Sequence, residues 1–227
     1  MMSELIPAAT VIVQRQSKRG VEALLLNRNK TLSFAPGLWV FPGGRVDPEE
    51  LALKATEQEQ ARVAAIRECE EEAGIRLAAD QLTPFAHWTA PEGTAKRFST
   101  WFFIATIEDD IEVVIDDGEI VSYQWLPLQQ ALNEHHEGAL AMLPPTYICL
   151  SQMSRLRQCQ QITAFAERRG MVFYQPQLVV EGDKLCFLYE EDNCYNSGEL
   201  VKTGRQHRCW MVDSICDYID DATITAI

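Results

Sequence analysis

The sequence predicts an α/β protein, because segments typical of strands alternate with a segment that has the periodicity of a helix. Residues 8–13 and 21–27 are rich in β-branched and aliphatic side chains, and the polar turn between them predicts a hairpin. Residues 61–73 have an apolar side of alanine, isoleucine and cysteine, and Gly74 is expected to end this helix. Further strands are expected at residues 82–90, 97–107 and 120–126, with a short helix at 127–137.

The last third of the chain predicts an additional unit. Helical spacing of apolar residues indicates one long helix over residues 144–169. A hairpin is expected at 177–189 and a returning strand at 208–212. We therefore expect residues 1–143 to form one domain and residues 144–227 to form a helical and β-hairpin extension packed on it.

The composition argues against several classes of protein. Twenty Lys and Arg against 33 Asp and Glu give a net charge of −13, which disfavours binding to a nucleic-acid backbone. The seven cysteines are odd in number and contain no C-x-x-C pair, which disfavours a zinc site or a disulfide framework and indicates a reducing compartment. No signal-peptide pattern and no membrane-length apolar run is present. We expect a cytoplasmic protein with neither nucleic acid nor membrane as its partner.

Three carboxylates on the predicted helix indicate a cation site. Residues three and four apart share one helix face, so Glu68, Glu71 and Glu72 project together, and Arg67 lies four residues before Glu71. Carboxylates that converge on one turn repel each other unless a cation lies between them, and a hard divalent ion such as Mg²⁺ suits them. The alternative is a solvated acidic helix face.

Two motifs carry a resemblance to a known family. The Phe-Pro-Gly-Gly run at 41–44 and the Arg-Glu-x-x-Glu-Glu-x-Gly run at 67–74 resemble the two halves of the Nudix box. The resemblance covers about residues 8–150 and implies a Nudix-type α/β/α sandwich with a mixed sheet. It also implies an enzyme that hydrolyses a nucleoside diphosphate linked to another moiety.

The spacing within the box departs from the family pattern. Gly44 to Glu50 has the usual spacing, but sixteen residues separate Glu50 from Arg67, and Glu59 stands where the pattern places its first glutamate. Either glutamate could serve, and we favour Glu59 because helix geometry fixes its distance to Arg67. The extra residues are expected at about 47–57. An insertion at this place resembles the coenzyme A and acyl-CoA diphosphatase branch of the family.

The segment from Leu24 to Gly44 matches the sequence signature of that branch only in part. The sequence differs from it by having Leu26 for a Thr, Asn29 for a Ser or Ala, and Ser33 for an Arg. The loss of that Arg removes a contact expected with phosphate. The positions kept in register are Leu24, Leu25, Arg28, Gly37 and residues 41–44.

The resemblance implies a metal site and catalytic residues. Mg²⁺ or Mn²⁺ would be held by Glu68, Glu71, Glu72 and the backbone carbonyl of Gly44. Glu68 would act as the general base for an attacking water, with Glu119 as the alternative base or a further ligand.

Arg67 is expected to hold the carboxylates in place by ion pairing with Glu59 or Glu71. Glu59 and Gly74 are therefore expected to have structural roles in the box.

The residues expected to bind substrate lie in three parts of the chain. Arg28 and Gly43 come from the signature and the glycine turn, and Arg97 and Phe98 follow a loop that concentrates positive charge. A guanidinium suits a diphosphate, and a phenyl ring can stack on a base. The alternative is a basic loop tip beside core aromatic residues, with Phe102 and Phe103 in the core.

The implied substrate is a small-molecule nucleotide, with coenzyme A or an acyl-CoA favoured by the insertion. ADP-ribose, NADH or another dinucleotide is the alternative, because Ser33 replaces the signature Arg. A non-catalytic nucleotide-binding regulatory domain is a third reading, although every carboxylate of the metal helix is present. Many relatives are homodimers, and a homodimer is expected for this chain by analogy alone.

Overall fold

The computed structural model describes residues 4–94, 96–108, 111–201 and 203–221. The outer ends of the two predicted units, residues 1–3 and 222–227, lie outside this description. In chain order, the strands are β1 (Leu5–Ser17), β2 (Gly20–Arg28), β3 (Trp39–Val40), β4 (Gly43–Arg45), β5 (Thr83–Thr89), β6 (Arg97–Ile107), β7 (Ile120–Pro127), β8 (Val172–Tyr174), β9 (Gln177–Glu181), β10 (Lys184–Leu188), β11 (His207–Val212) and β12 (Ile215–Asp220). The helices are α1 (Pro48–Leu51), α2 (Glu57–Ala73), α3 (Leu128–His136), α4 (Pro144–Met153) and α5 (Cys159–Arg169).

A mixed sheet is organised around β1. This strand pairs antiparallel with β2, which confirms the predicted hairpin, and parallel with β6 along eleven residue pairs. The path β3-β2-β1-β6-β5-β8 carries two branches, since β4 pairs with β1 and β7 pairs with β2. The sheet therefore joins segments from β1 to β8, and β9 to β12 are not part of it.

Both faces of this sheet are covered by helices. Val11 and Val13 pack in one core with α2, whereas Ile12, pointing the other way, packs in a second core with α3, α4 and α5. A strand buried on both faces is expected to be apolar at every position, as β1 is from Val11 to Val13. The α/β/α sandwich predicted from the sequence is confirmed.

The ends of α2 are set by local hydrogen bonds. Thr56 Oγ1 accepts from the backbone N–H of Glu59, and Glu59 Oε2 accepts from the N–H of Thr56 at 2.8 Å, which is a capping box. At the other end Gly74 has φ +69° and donates back to Glu70, as predicted for the helix stop. The helix begins four residues before the predicted start at residue 61 because the capping box satisfies its first turn.

The single long helix predicted over residues 144–169 is wrong. The structure has α4 and α5 there, and α4 ends near Ser154, whose hydroxyl donates to the carbonyl oxygen of Ser151 at 2.9 Å. The backbone N–H of Cys159 starts α5 by donating to the side chain of Gln16 on β1 at 3.2 Å. This partner is remote in sequence, so local periodicity could not reveal the break.

The C-terminal part is also more extensive than the predicted hairpin. Strand β8 joins the main sheet beside β5, and β9 to β12 form a separate antiparallel sheet of four strands. The hairpin at 177–189 and the strand at 208–212 correspond to β9, β10 and β11, whereas β12 was not predicted. The boundary between residues 143 and 144 stays a prediction.

A buried histidine ties this second sheet to the main body. His135, on α3, is fully buried, and its Nε2 accepts from the backbone N–H of Cys216 at 2.7 Å. Its Nδ1 must then carry the proton and donate to the carbonyl oxygen of Leu140 at 2.6 Å. The start of β12 is thereby fixed against the α3–α4 segment. Among the described residues, no helix is long and apolar enough to cross a membrane.

A buried ion pair organises the long loop between β10 and β11. Arg208 donates to both carboxylate oxygens of Asp192, each at 2.7 Å, and both residues are less than 5% exposed. Asp192 also accepts from the backbone N–H groups of Cys194 and His207. Every polar atom of this carboxylate is satisfied, as a buried charge requires.

We expect Asp192→Ala to lower the free energy of unfolding by about 3–5 kcal/mol, because the Arg208 guanidinium is left buried without its partner. Urea denaturation followed by tryptophan fluorescence measures the loss. The matched control is Glu191→Ala, whose side chain is 55% exposed and pairs with Arg205, and its loss should stay under about 1 kcal/mol. Equal losses in the two variants would contradict this account.

Candidate active site

The two glycines of β4 bring the chain against α2. Strand β4 pairs with β1 so closely that a Cβ at Gly43 would collide with the backbone of Ala9 and Thr10. A Cβ at Gly44 would overlap the carboxylate of Glu68. Gly43 therefore needs to be glycine for this close approach, whereas a side chain at Gly44 would displace the carboxylate of Glu68.

Glu72 is the most deeply buried carboxylate of the group. It is 6% exposed, its Oε2 accepts from the N–H of Gly43 at 2.9 Å, and its Oε1 lies 3.6 Å from Arg28 Nη1. Burial raises the pKa of Glu72 to about 8, although the Gly43 hydrogen bond and the Arg28 charge act in the opposite direction. A carboxylate in such a place binds a proton or a cation readily.

Arg67 binds the other two carboxylates of the helix. Its Nη1 donates to Glu68 Oε1 at 2.9 Å and to Glu71 Oε2 at 3.0 Å. Burial raises the pKa of Glu68 above its ordinary value, with the Arg67 hydrogen bond lowering it in part. Glu71 is more open, with 58% of its side chain exposed. Spacing on the helix thus correctly predicted that Glu68, Glu71 and Arg67 share one face.

The partner predicted for Arg67 at Glu59 is wrong. Arg67 donates from Nε to Glu50 Oε1 at 2.9 Å and from Nη2 to Glu50 Oε2 at 3.2 Å, a two-pronged ion pair. Glu59 is occupied instead by the capping box with Thr56. Glu50 lies on α1, and it also accepts from the N–H of Asp47 at 2.7 Å. This geometry indicates that the insertion in the box follows Glu50. The sequence had predicted the insertion at about residues 47–57.

Glu119 and Arg28 approach the same carboxylates from another side. Arg28 Nη2 lies 3.1 Å from Glu119 Oε2 while Nη1 faces Glu72, so one guanidinium lies between the two acids. Asp116, which sequence reasoning did not single out, accepts from the N–H groups of Glu119 and Ile120 and fixes the turn. Its signal in the sequence was only a place in an acidic run.

One pocket of about 910 Å³ contains most of the predicted residues. Ligand pockets in proteins usually have volumes of about 300–1,000 Å³. This pocket is near the upper end of that range, which suits a bulky ligand. The predicted residues that line it are Arg28, Gly43, Gly44, Glu68, Glu71, Glu72, Phe98 and Glu119. Four other predicted residues do not line this pocket, namely Arg67, Glu59, Gly74 and Arg97.

The predicted role of Arg97 in binding substrate is not supported by its position. Arg97 is 6% exposed, donates to the carbonyl oxygen of Ala90 at 3.2 Å, and borders a second cavity of about 410 Å³. The neighbouring Lys96, on the other hand, lines the main pocket, where its ammonium donates to Ser33 Oγ at 2.9 Å. Lys96 lies in the bend before β6 and Arg97 is the first residue of that strand, and the two cations reach different cavities.

Aromatic rings form part of the rim of the pocket. The rings of Phe34 and Phe98 are 4.6 Å apart, and the guanidinium of Arg45 lies 5.9 Å from the Phe98 ring. Phe34 is partly exposed, at 38%. Phe98 is thus placed at the pocket, and the buried Phe102 also lines it, whereas Phe103 is a core residue that does not.

The donor set fits a hard divalent ion. Among the described residues, no group of three or more His, Cys, Asp or Glu side chains already converges on one ligating point. Arg67 instead holds Glu68 and Glu71. Even so, carboxylates of one helix face line one wall of the pocket, and burial raises the pKa of both Glu68 and Glu72. A bound divalent cation would remove that unfavourable burial of charge.

Comparison with known proteins identifies the family. A family model described as NUDIX domain matches residues 4–144, which is more than half of the chain. The chain belongs to the Nudix family. The predicted family is thereby confirmed, and the chain is a Nudix hydrolase that acts on nucleoside diphosphate derivatives.

Several Nudix relatives differ in what their names state. "Putative nudix hydrolase 7" of Caenorhabditis elegans is 24% identical over 74% of this chain and 67% of its own length. "Acyl-coenzyme A diphosphatase NUDT19" of Homo sapiens is 25% identical over 56% of this chain. The match covers only 38% of the human protein, so this chain spans well under half of that relative.

Solved Nudix structures share the fold. A Nudix hydrolase from Alicyclobacillus acidocaldarius has a TM-score of 0.65 at 22% identity and matches 72% of this chain and 97% of its own. The Nudix domain of Shewanella oneidensis NrtR, solved with ADP ribose, has a TM-score of 0.51 at 16% identity and matches 67% of this chain and 88% of its own. At these identities the likeness concerns architecture.

We expect Glu50→Ala to reduce metal-dependent turnover by at least about tenfold, since the carboxylate that orients the Arg67 guanidinium is removed. Glu59→Ala is the matched control on the same helix pair, and it should lower the free energy of unfolding by about 0.5–2 kcal/mol through the lost cap, with turnover retained. Steady-state kinetics and urea denaturation of both variants separate the two effects. The reverse pattern would restore Glu59 as the partner of Arg67.

The raised pKa of Glu72 predicts a pH-dependent stability without metal. Because its folded pKa of about 8 exceeds the ordinary 4.5, the folded state keeps a proton that the unfolded state releases, and stability falls as pH rises between these values. In chelator, Glu72→Gln should therefore raise Tm at pH 8 by at least about 2–4 °C, the shift given by 1 kcal/mol in a domain of this size. At pH 5 that gain should be much smaller.

Thermal denaturation in EDTA at both pH values measures this difference. Glu70→Gln is the control, because Glu70 lies on the same helix but pairs with Arg76 at 2.7 Å outside the pocket. If the two variants gave the same profile, burial of Glu72 would not be the cause.

Proposed function

We propose that this chain hydrolyses a phosphoanhydride bond of coenzyme A or an acyl-CoA by attack of water. The observation that carries the proposal is a single pocket that joins the α2 carboxylates to cationic side chains on its other walls. Those cations are Arg28, Arg45 and Lys96. A diphosphate needs both features, because its charge must be neutralised while water is activated beside it.

The coenzyme A assignment is supported by the contact of Lys96 with Ser33. Ser33 occupies the position at which the branch signature has an Arg, and the Lys96 ammonium lies 2.9 Å from its hydroxyl. A cation is thus supplied to this part of the pocket from the residue just before β6 instead of from the loop after β2. Since an ammonium binds phosphate as a point charge, it can replace the missing guanidinium contact.

A divalent ion, Mg²⁺ or Mn²⁺, bound by Glu68, Glu71, Glu72 and the Gly44 carbonyl would neutralise the diphosphate and lower the pKa of the attacking water. Nudix hydrolases in general use divalent metal ions.

Glu68 is the proposed general base, because its partly buried carboxylate has a raised pKa and is oriented by Arg67. Glu119 is the alternative base, held across the pocket by Arg28. Arg67 does not line the pocket, so it positions Glu68 and Glu71 and does not touch substrate.

The ring pair at the rim suits the nucleoside end of the substrate. Phe34 and Phe98 offer aromatic faces at the pocket, with Arg45 beside Phe98. A base stacked there would place its diphosphate toward Lys96 and the carboxylates of α2. Gly43, which donates its N–H to Glu72, keeps that wall of the pocket free of a side chain.

ADP-ribose, NADH or another dinucleotide remains the second candidate, favoured by Ser33 in the position of the signature Arg. A product-resolved screen with Mg²⁺ and with Mn²⁺ distinguishes the candidates. Release of 3′,5′-ADP and a phosphopantetheine product from CoA or acyl-CoA is the expected result. Preferred release of AMP from ADP-ribose or NADH would establish the second candidate, and no turnover by folded protein would favour a nucleotide-binding regulatory domain.

We expect Glu71→Gln and Glu72→Gln to reduce metal-dependent turnover by at least about a hundredfold, since each removes a charged oxygen from the proposed ion. Glu70→Gln is the matched control, being adjacent on α2 but outside the pocket, and should retain turnover. Circular dichroism of each variant checks that the fold is kept. Near-full activity of Glu71→Gln and Glu72→Gln would contradict the ligand assignment.

A further inference from the structure

The C-terminal sheet presents one apolar face to the pocket. In the register of this sheet, Leu185 on β10 pairs with Met211 on β11, and Phe187 pairs with Leu178 on β9. Because alternate residues of a strand share a face, these four side chains lie on the same side of the sheet. All four line the main pocket and are half-buried.

The opposite face of the sheet is covered by its own chain. Cys186 and Leu188, which alternate with the pocket-facing residues, pack in a small core with Cys194 from the following loop. Tyr195, Leu200 and Trp210 pack against that core. The loop organised by Asp192 thus buries one face, and the pocket borders the other.

The pocket lining divides along the chain into a charged half, from residues before 120, and an uncharged half, from residue 143 onward. Its charged lining residues in the described chain, Arg28, Arg45, Asp47, Glu68, Glu71, Glu72, Lys96, Asp116 and Glu119, all precede residue 120. From Leu143 onward the described lining residues are uncharged, and most are leucine, proline, phenylalanine or methionine. Trp88 and Phe102 of the main sheet continue this apolar lining.

The chemistry of the uncharged half selects among candidate occupants. A second ribose or a nicotinamide carries hydroxyl and amide groups, and their transfer to an apolar surface without hydrogen-bond partners is unfavourable. An aliphatic chain has no such groups, and each methylene buried raises affinity by about fourfold. The side chains of this wall therefore fit an unbranched alkyl chain far better than a sugar.

We infer that the face formed by Leu178, Leu185, Phe187 and Met211 binds the aliphatic chain of an acyl thioester whose diphosphate lies at the α2 carboxylates. The inference rests on the proposed function and goes further, because it makes the C-terminal sheet the part of the chain that selects acyl-CoA over free coenzyme A. Selectivity then rises with the length of the acyl chain.

The test compares coenzyme A with its acetyl, octanoyl and dodecanoyl thioesters, the last kept below its micelle concentration. Dissociation constants are measured by calorimetry in EDTA, and kcat/KM is measured with Mg²⁺. For the unaltered chain, affinity and kcat/KM should both rise by at least about tenfold from the acetyl to the octanoyl thioester. Burial of only a few methylene groups is enough to produce an increase of this size.

Leu178→Gln should reduce that increase to about threefold or less, because an amide replaces part of the apolar wall, and leave free coenzyme A within about twofold. Val180→Gln is the matched control: Val180 lies on the same edge strand and the same face, but is 63% exposed and outside the pocket. Met211→Gln provides a second variant on another strand should Leu178→Gln not fold.

The two readouts separate this inference from the proposed function. Hydrolysis of coenzyme A with a flat chain-length series would overturn the inference and leave the proposed function standing. Absence of hydrolysis, with affinity that rises with chain length and loses this rise in Leu178→Gln, would overturn the proposed function and support the inference. Neither binding nor hydrolysis would overturn both.

Discussion

The guanidinium of Arg67 contacts Glu50, Glu68 and Glu71 at once and donates to the carbonyl oxygen of Arg45. These partners belong to α1, α2 and β4, so one side chain joins three segments around the acidic wall, which is the pocket side of α2 with Glu68, Glu71 and Glu72. The hydrogen bond to Glu50 is the largest influence that raises the pKa of Arg67, which keeps it charged at every accessible pH. Without this cation, the carboxylates brought together by α2 would repel each other and the wall would open.

Helix periodicity was sufficient to predict the acidic wall, but not its supports. Spacing on α2 correctly grouped Arg67 with Glu68 and Glu71, because contacts within one helix follow from sequence separation. Glu50 could not be identified as the partner in this way, because it lies on another helix, α1, and meets Arg67 only through a tertiary contact. Asp116 was missed for a related reason, because its hydrogen bonds in a turn do not distinguish it in an acidic run.

The fold shows the same limit. Local sequence pattern was sufficient to predict the apolar middle of β1 and the end of α2 at Gly74. The division of residues 144–169 into α4 and α5 was not predicted, because Cys159 takes its capping partner from Gln16. Strand β12 was missed as well, and its start is fixed by a hydrogen bond to the buried His135. Elements that depend on a distant partner carry little signal in their own residues.

The two halves of the pocket follow from how the chain closes on itself. The charged half is built from segments around β1 and α2, where Gly43 and Gly44 allow the backbone to pass within contact of Glu72 and Glu68. The uncharged half comes largely from strands beyond the family match at residues 4–144. Chemistry at a diphosphate requires fixed charges, and those are held by the Arg67 network. Discrimination between groups attached to the diphosphate requires only a change in the surface opposite, so the C-terminal sheet can alter selectivity without disturbing the carboxylates.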